Sequence, residues 1–190
     1  MLSENAAQTL LEIAREAIVH QVRNQAYLPA PREEKTLNRR SGCFVTIKRD
    51  DRLRGCIGNF QAHQPLFREV AEMAAASASQ DPRFPPMNED ELADFSLEIT
   101  VLSPLEKIED VGQIEVGRHG IYIEKGLNRG VLLPQVAEEY GWDRTTFLQQ
   151  TCLKAGLAAD DWQLPDAEIY IFSGQILTEE NFDQFPGKQS

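Results

Sequence analysis

The sequence predicts an α+β fold built on a largely antiparallel sheet flanked by helices. Helical and strand-like segments are mixed without strict β-α-β alternation. Two strand-like runs, 42–48 and 53–57, are joined by the polar turn Arg49-Asp50-Asp51-Arg52 and read as a hairpin. Apolar residues recur at three-and-four spacing near the N-terminus and again after Pro65, as buried helix faces require.

Ser3 is placed to cap a first helix whose buried stripe is Ala7, Leu10, Leu11, Ala14, Ala17, Ile18 and Val22. This helix ends before Leu28-Pro29, since proline cannot continue it and restricts the residue ahead of it. After the hairpin, a second helix from Pro65 to about Ser79 carries the run "MAAASAS". Side chains that small suggest close approach to a neighbouring element rather than a bulky core. "DPRFPP", from Asp81 to Pro86, reads as a rigid extended loop. Further strands are expected at 96–103, 121–123 and 131–133. Pro134 suits the first position of a short helix stopping at Gly141, and Asp143 caps the next, which meets Gly156 at its end. A last strand covers 168–177.

For 190 residues, one domain over 1–190 or two interlocked lobes is the economical organisation. No stretch approaches the roughly 18 apolar residues of a membrane span, and no secretory leader is visible, so no membrane partner and a cytoplasmic location are expected. A net charge of −11 disfavours a nucleic-acid regulator, because affinity for a phosphate backbone comes largely from Lys and Arg. Cys43, Cys56 and Cys152 have neither disulfide-framework nor zinc-ligand spacing, so no metal and no cofactor are expected. Phosphate-binding, dinucleotide, zinc-protease and serine-hydrolase motifs are absent from the sequence.

"LRGCIG", Leu53 to Gly58, is the unusual stretch. A turn centred on Asp50-Asp51 would pair Lys48 with Leu53, Thr46 with Gly55 and Val45 with Cys56. Arg54 and Cys56 would then share a face with Val45 and Ile47. A guanidinium beside a thiol favours thiolate, which makes Cys56 a candidate catalytic nucleophile. The alternatives are a small buried residue, or a binding surface where the glycines let a backbone or ligand come close. A nucleophile also needs a base. His63 and His119 are the candidates, while His20 falls on the polar side of the first helix and Cys152 on an apolar stripe. Asp81 and Arg83 either pair with other groups or present a forked donor to a ligand anion.

The blocks "GCFVTI", "LRGCIGNF", "DPRFPP", "ELADFSLEITVLSPLE", "GRHGIYIEKG", "RGVLLPQVA" and "FLQQTCLKAGL", in this order between Gly42 and Trp162, resemble the AMMECR-one domain family. Its bacterial and archaeal members are known as component A of AmmeMemoRadiSam systems. The resemblance implies an α+β domain with a larger and a smaller lobe and signature residues near a cleft between them. It also implies a Memo-like protein and a radical SAM protein as partners. By motif position it points to Cys56 as the catalytic candidate and to Arg54, Gly55, Gly58, Asp81, Arg83 and Lys154 as substrate-binding candidates, with Pro134 a further marked position. The family has no established reaction. Three functions stay open: an accessory or substrate-handling component of a small-molecule modification system, a stand-alone thiol enzyme using Cys56, or, less favoured, a regulatory nucleic-acid or protein-binding factor. This chain lacks the CxxxCxxC cluster of a radical SAM enzyme, so that chemistry would belong to a partner.

Overall fold

Small side chains decide how the N-terminal part of the chain assembles in the computed structural model, which describes residues 1–181. Helix α1 (Glu4–Val22) starts where Ser3 accepts the Ala6 N–H, and buries Ala6, Ala7, Leu10, Leu11, Ala14, Ala17 and Ile18. It stops short of the prolines because Asn24 takes a left-handed conformation, φ 56°, one residue past the Arg23 cap. After the one-turn helix α2 (Lys35–Asn38) come β1 (Cys43–Arg49) and β2 (Arg52–Asn59). Helix α3 (Leu66–Ser79) then lies against α1 and against both strands.

The small residues of α3 bring its backbone onto β2. A side chain at Gly55 would sit 2.2 Å from the Ser77 carbonyl oxygen. Ser77 Oγ accepts the Ile57 N–H at 2.9 Å and donates to the Val45 carbonyl at 2.8 Å, so one hydroxyl bridges helix and sheet.

Two compact units result, each with its own sheet. Among the described residues, unit 1 comprises Met1–Leu102 and residues 175–181. Its strand order is β2-β1-β3-β8, with β3 at Ser96–Leu102 and β8 at Gly174–Thr178. Val45, Ile47, Leu97, Ile99 and Val101 pack with α1 and α3 into its core. Unit 2, Ser103–Gly174, holds β4 (Glu106–Ile108), β5 (Gly120–Lys125), β6 (Asn128–Leu132) and β7 (Glu168–Phe172) in the order β4-β7-β5-β6. Its core sets Ile121, Ile123, Ile169 and Ile171 against Phe147 and Cys152 of α5 (Arg144–Lys154) and Ala137 of α4 (Pro134–Glu139).

The expected last strand is divided: residues 168–172 pair in unit 2, whereas 174–178 join the sheet of unit 1. At the break, Ser173 N–H donates to Ser103 Oγ at 2.9 Å while Ser103 N–H donates to the Ser173 carbonyl at 2.8 Å. The architecture is α+β on two antiparallel sheets. No helix among the described residues is long and apolar enough to cross a membrane.

Candidate functional site

The hairpin carrying Cys56 closes on Asp50 and Asp51, both left-handed at φ 48° and 57°, the conformation of a two-residue turn that matches strand twist. Arg49 pairs with Arg52 and Lys48 with Leu53, as the turn demands. A bulge opposite Ile47/Lys48 then absorbs Arg54, and every later partner shifts by one. Ile47 faces Gly55, Thr46 faces Cys56 and Val45 faces Ile57. The expected register is thereby corrected: Cys56 shares a face with Thr46, not with the buried Val45 and Ile47. The thiol is half-buried, and Thr46 Oγ1 donates to Sγ at 3.3 Å.

β2 is an edge strand, and the "DPRF" loop covers its open side at Cys56. Cys56 N–H donates to Asp81 Oδ2 at 2.8 Å, and the Cys56 carbonyl accepts from Arg83 Nη2 at 3.3 Å. Arg83 grips the same carboxylate through Nε at 2.9 Å and Nη2 at 2.7 Å, and its own backbone N–H adds a third bond at 3.1 Å. Two side chains thus stand in for the neighbouring strand. The Arg83 fork holds the Asp81 carboxyl far below the usual carboxylate range, outweighing burial, which acts the other way.

Arg54 is engaged in the same manner, by a second carboxylate. Its Nε and Nη2 reach Glu91 at 2.6 and 3.1 Å, and Nη2 also donates to the Pro85 carbonyl at 2.9 Å. Glu91 lies in the capping box of a short helical turn, accepting the Asn88 N–H at 3.0 Å. The Arg54 bond, with smaller contributions from Asn88 and Arg49, keeps its carboxyl low. Phe84 packs under both guanidinium groups, 5.8 Å from Arg54 and 5.7 Å from Arg83. Arg49, Arg54, Phe84, Pro86, Asp90 and Glu91 line a depression of about 500 Å³.

The structure therefore gathers Arg54, Gly55, Cys56, Gly58, Asp81 and Arg83 around β2. Gly55 receives the α3 backbone, and the space beside Gly58 is filled by the Phe44 ring, 2.3 Å from where a side chain would begin. Lys154 is exposed at the end of α5 in unit 2, and Pro134 is buried at the first position of α4. His119, also in unit 2, accepts the Glu115 N–H on Nδ1 at 3.2 Å, and His63 lies exposed after β2. No group of three or more His, Cys, Asp or Glu side chains is placed to hold a metal among the described residues. Ser77 and Glu91 escape the sequence reading. The Asn-x-x-Glu spacing of Asn88 and Glu91 announces the capping box, but nothing local announces Arg54 as a partner 37 residues away.

The AMMECR1 family model matches residues 11–177. Protein MK0488 of Methanopyrus kandleri is 42% identical over 188 residues, covering 94% of this chain and 91% of that protein. Protein NEQ441 of Nanoarchaeum equitans is 42% identical over 179 residues, covering 90% of this chain and 99% of its own. Among solved structures, the uncharacterised protein PH0010 from Pyrococcus horikoshii superposes with a TM-score of 0.76 at 37% identity, over 92% of each chain. A model spanning both units, together with relatives matched nearly end to end, places this chain in the AMMECR1 family.

Proposed function

We propose that the protein is an accessory, substrate-handling component of a small-molecule modification system, and that Cys56 belongs to a binding surface rather than acting as a nucleophile. One observation carries this reading: the two guanidinium groups nearest Cys56 in sequence and space are each already paired with a carboxylate, Arg83 while it also bonds the Cys56 carbonyl. Glu91 holds Arg54 and Asp81 holds Arg83, while the side chain bonded to Sγ is the Thr46 hydroxyl, which is neither a base nor a cation. Thiol chemistry needs one or the other. The half-exposed Arg83 and the depression beside Arg54 supply the contact surface in unit 1, and Lys154 is a separate candidate in unit 2. A Memo-like protein and a radical SAM protein, the partners implied by the family resemblance, would provide the reactive centres.

The chain, tagged and expressed at its native level, should co-purify with a Memo-like or radical SAM protein. Cys56→Ser should leave that association intact and Arg83→Ala should weaken it. Absence of both partners under several growth conditions counts against the reading. Rapid iodoacetamide labelling of Cys56 at pH 6, where an unactivated thiol is protonated, would favour the thiol enzyme instead.

A further inference from the structure

Unit 1 carries a second concave feature that shares no residue with the surroundings of Cys56. A groove of about 270 Å³ lies between α1 and α3. Ala17, Ala71 and Ala75 form an apolar floor because none of them reaches across to the other helix. Tyr27 and Leu28 form one wall. The Tyr27 hydroxyl is taken by Glu16 at 2.6 Å, so Tyr27 presents its ring. The polar lining is Gln21, Gln25, Gln64, Arg68 and Glu72.

Arg68 is the cationic side chain of this groove, and its Nε has no hydrogen-bond partner within the chain. Among the described residues, five side-chain polar atoms are shut off from solvent without a hydrogen-bond partner: His20 Nδ1, Arg32 Nε, Arg39 Nε, Arg68 Nε and Trp162 Nε1. The first four belong to unit 1. Arg68 lines the groove itself. The His20 ring is 5.1 Å from that of Tyr27, and the Arg32 charge acts on the same tyrosine. The Arg39 carbonyl accepts the N–H of Leu66, midway between the lining residues Gln64 and Arg68. A buried donor left without an acceptor is unfavourable, so native proteins pair nearly all of them. Three of these four are guanidinium donors, and the complement of a guanidinium is an anion.

Glu72 narrows the choice of anion. Its carboxylate lines the same groove, bonded to Gln64 Nε2 at 2.5 Å, and would repel a second negative charge. A phosphate monoester carries nearly two charges at neutral pH, whereas a carboxylate carries one. The alanine floor and the Tyr27 ring suit a flat or compact apolar body attached to that single charge. We propose that the α1–α3 groove binds a small monocarboxylate, with Arg68 anchoring the carboxylate, the glutamine amides orienting it and its apolar part lying against Tyr27 and the alanines. The site is independent of the function proposed for the Cys56 surface, since neither Cys56 nor its covering loop takes part.

The test is an NMR titration of the full chain with three probes of similar size: phenylacetate, its neutral isostere phenylacetamide, and phenyl phosphate. Phenylacetate should shift the side-chain amides of Gln21, Gln25 and Gln64 saturably. Phenylacetamide should bind at least about tenfold more weakly and phenyl phosphate more weakly than phenylacetate. Arg68→Gln should abolish saturation and Glu72→Gln should tighten it, which keeps the test decisive should one variant misfold. Absence of saturable shifts, equal binding of acid and amide, or indifference to both substitutions would overturn the proposal. Tighter binding of phenyl phosphate would overturn its assignment to carboxylates.

Discussion

The carboxylate of Asp81 accepts the backbone N–H of Cys56 at 2.8 Å while Arg83, which grips that carboxylate, donates to the Cys56 carbonyl. One ion pair thereby satisfies both main-chain groups of Cys56. Asp81→Ala should leave a strand N–H without its acceptor and release Arg83, lowering stability by about 2 kcal/mol. Urea unfolding would measure the loss, and faster hydrogen exchange at the Cys56 amide would localise it. A change below about 0.5 kcal/mol would show that water replaces the loop without penalty.

The same contacts set an acid limit. Arg83 and Arg54 hold the Asp81 and Glu91 carboxyls below their unfolded values of about 3.9 and 4.3. Each therefore contributes stability that is fully present above its unfolded pKa and is lost as pH falls through the folded value, because the unfolded chain takes up protons first. Stability measured by denaturant should decline steadily below about pH 4. The decline should be shallower in an Asp81→Asn, Glu91→Gln double variant. An identical slope in both proteins would assign the acid sensitivity to other carboxylates.

Gly55→Ala should be among the most damaging conservative changes available, since the new methyl would meet the Ser77 carbonyl at 2.2 Å. The loss should reach the upper end of the 1–3 kcal/mol typical of overpacking, or about 3 kcal/mol. Gly126→Ala gives the contrast. Nothing lies within 4 Å of the added methyl, and the left-handed φ of 60° alone costs about 1 kcal/mol. Comparing the two unfolding midpoints separates close approach from backbone conformation.

The three cysteines should label in a fixed order. Burial pushes the Cys43 thiol well up, with the nearby Glu69 adding to the effect, and burial also raises Cys152. Cys56 is the one partly exposed thiol of the three. Mass spectrometry after brief alkylation of the folded protein at pH 8 should find the label on Cys56, with Cys43 and Cys152 modified only in urea. Early modification of Cys152 would reveal local opening of α5.

Much of this fold is written in local chemistry. Ser3 and Asp143 cap helices as their types predict, Pro134 opens α4, and Gly156 takes the left-handed conformation beyond α5 at φ 75°. The hairpin register could not be read the same way. It depends on whether one residue of β2 is left out of the ladder, and the bulge at Arg54 is fixed by its long-range grip on Glu91 as much as by the turn. The three residues of β4 carry too little pattern to announce a strand, and they become one only by pairing with β7 far along the chain, Ile108 facing Ile169. The role of Ser77 was equally hidden. In the sequence it is one small residue among alanines, and only the contact with β1 and β2 gives its hydroxyl two partners.

The covering of β2 by Asp81 and Arg83 bears finally on how the protein keeps to itself. A bare strand edge is a template on which a second chain can continue the sheet, and such growth leads to fibrils or precipitates. Here the vacancy at Cys56 is occupied by a carboxylate and a guanidinium from the same chain. The covering pair is charged, so an incoming strand would have to displace an ion pair before its first hydrogen bond could form. The stretch "DPRF" is in this sense a guard against self-association, and its weakening should appear first as turbidity at high concentration, before any loss of native fold.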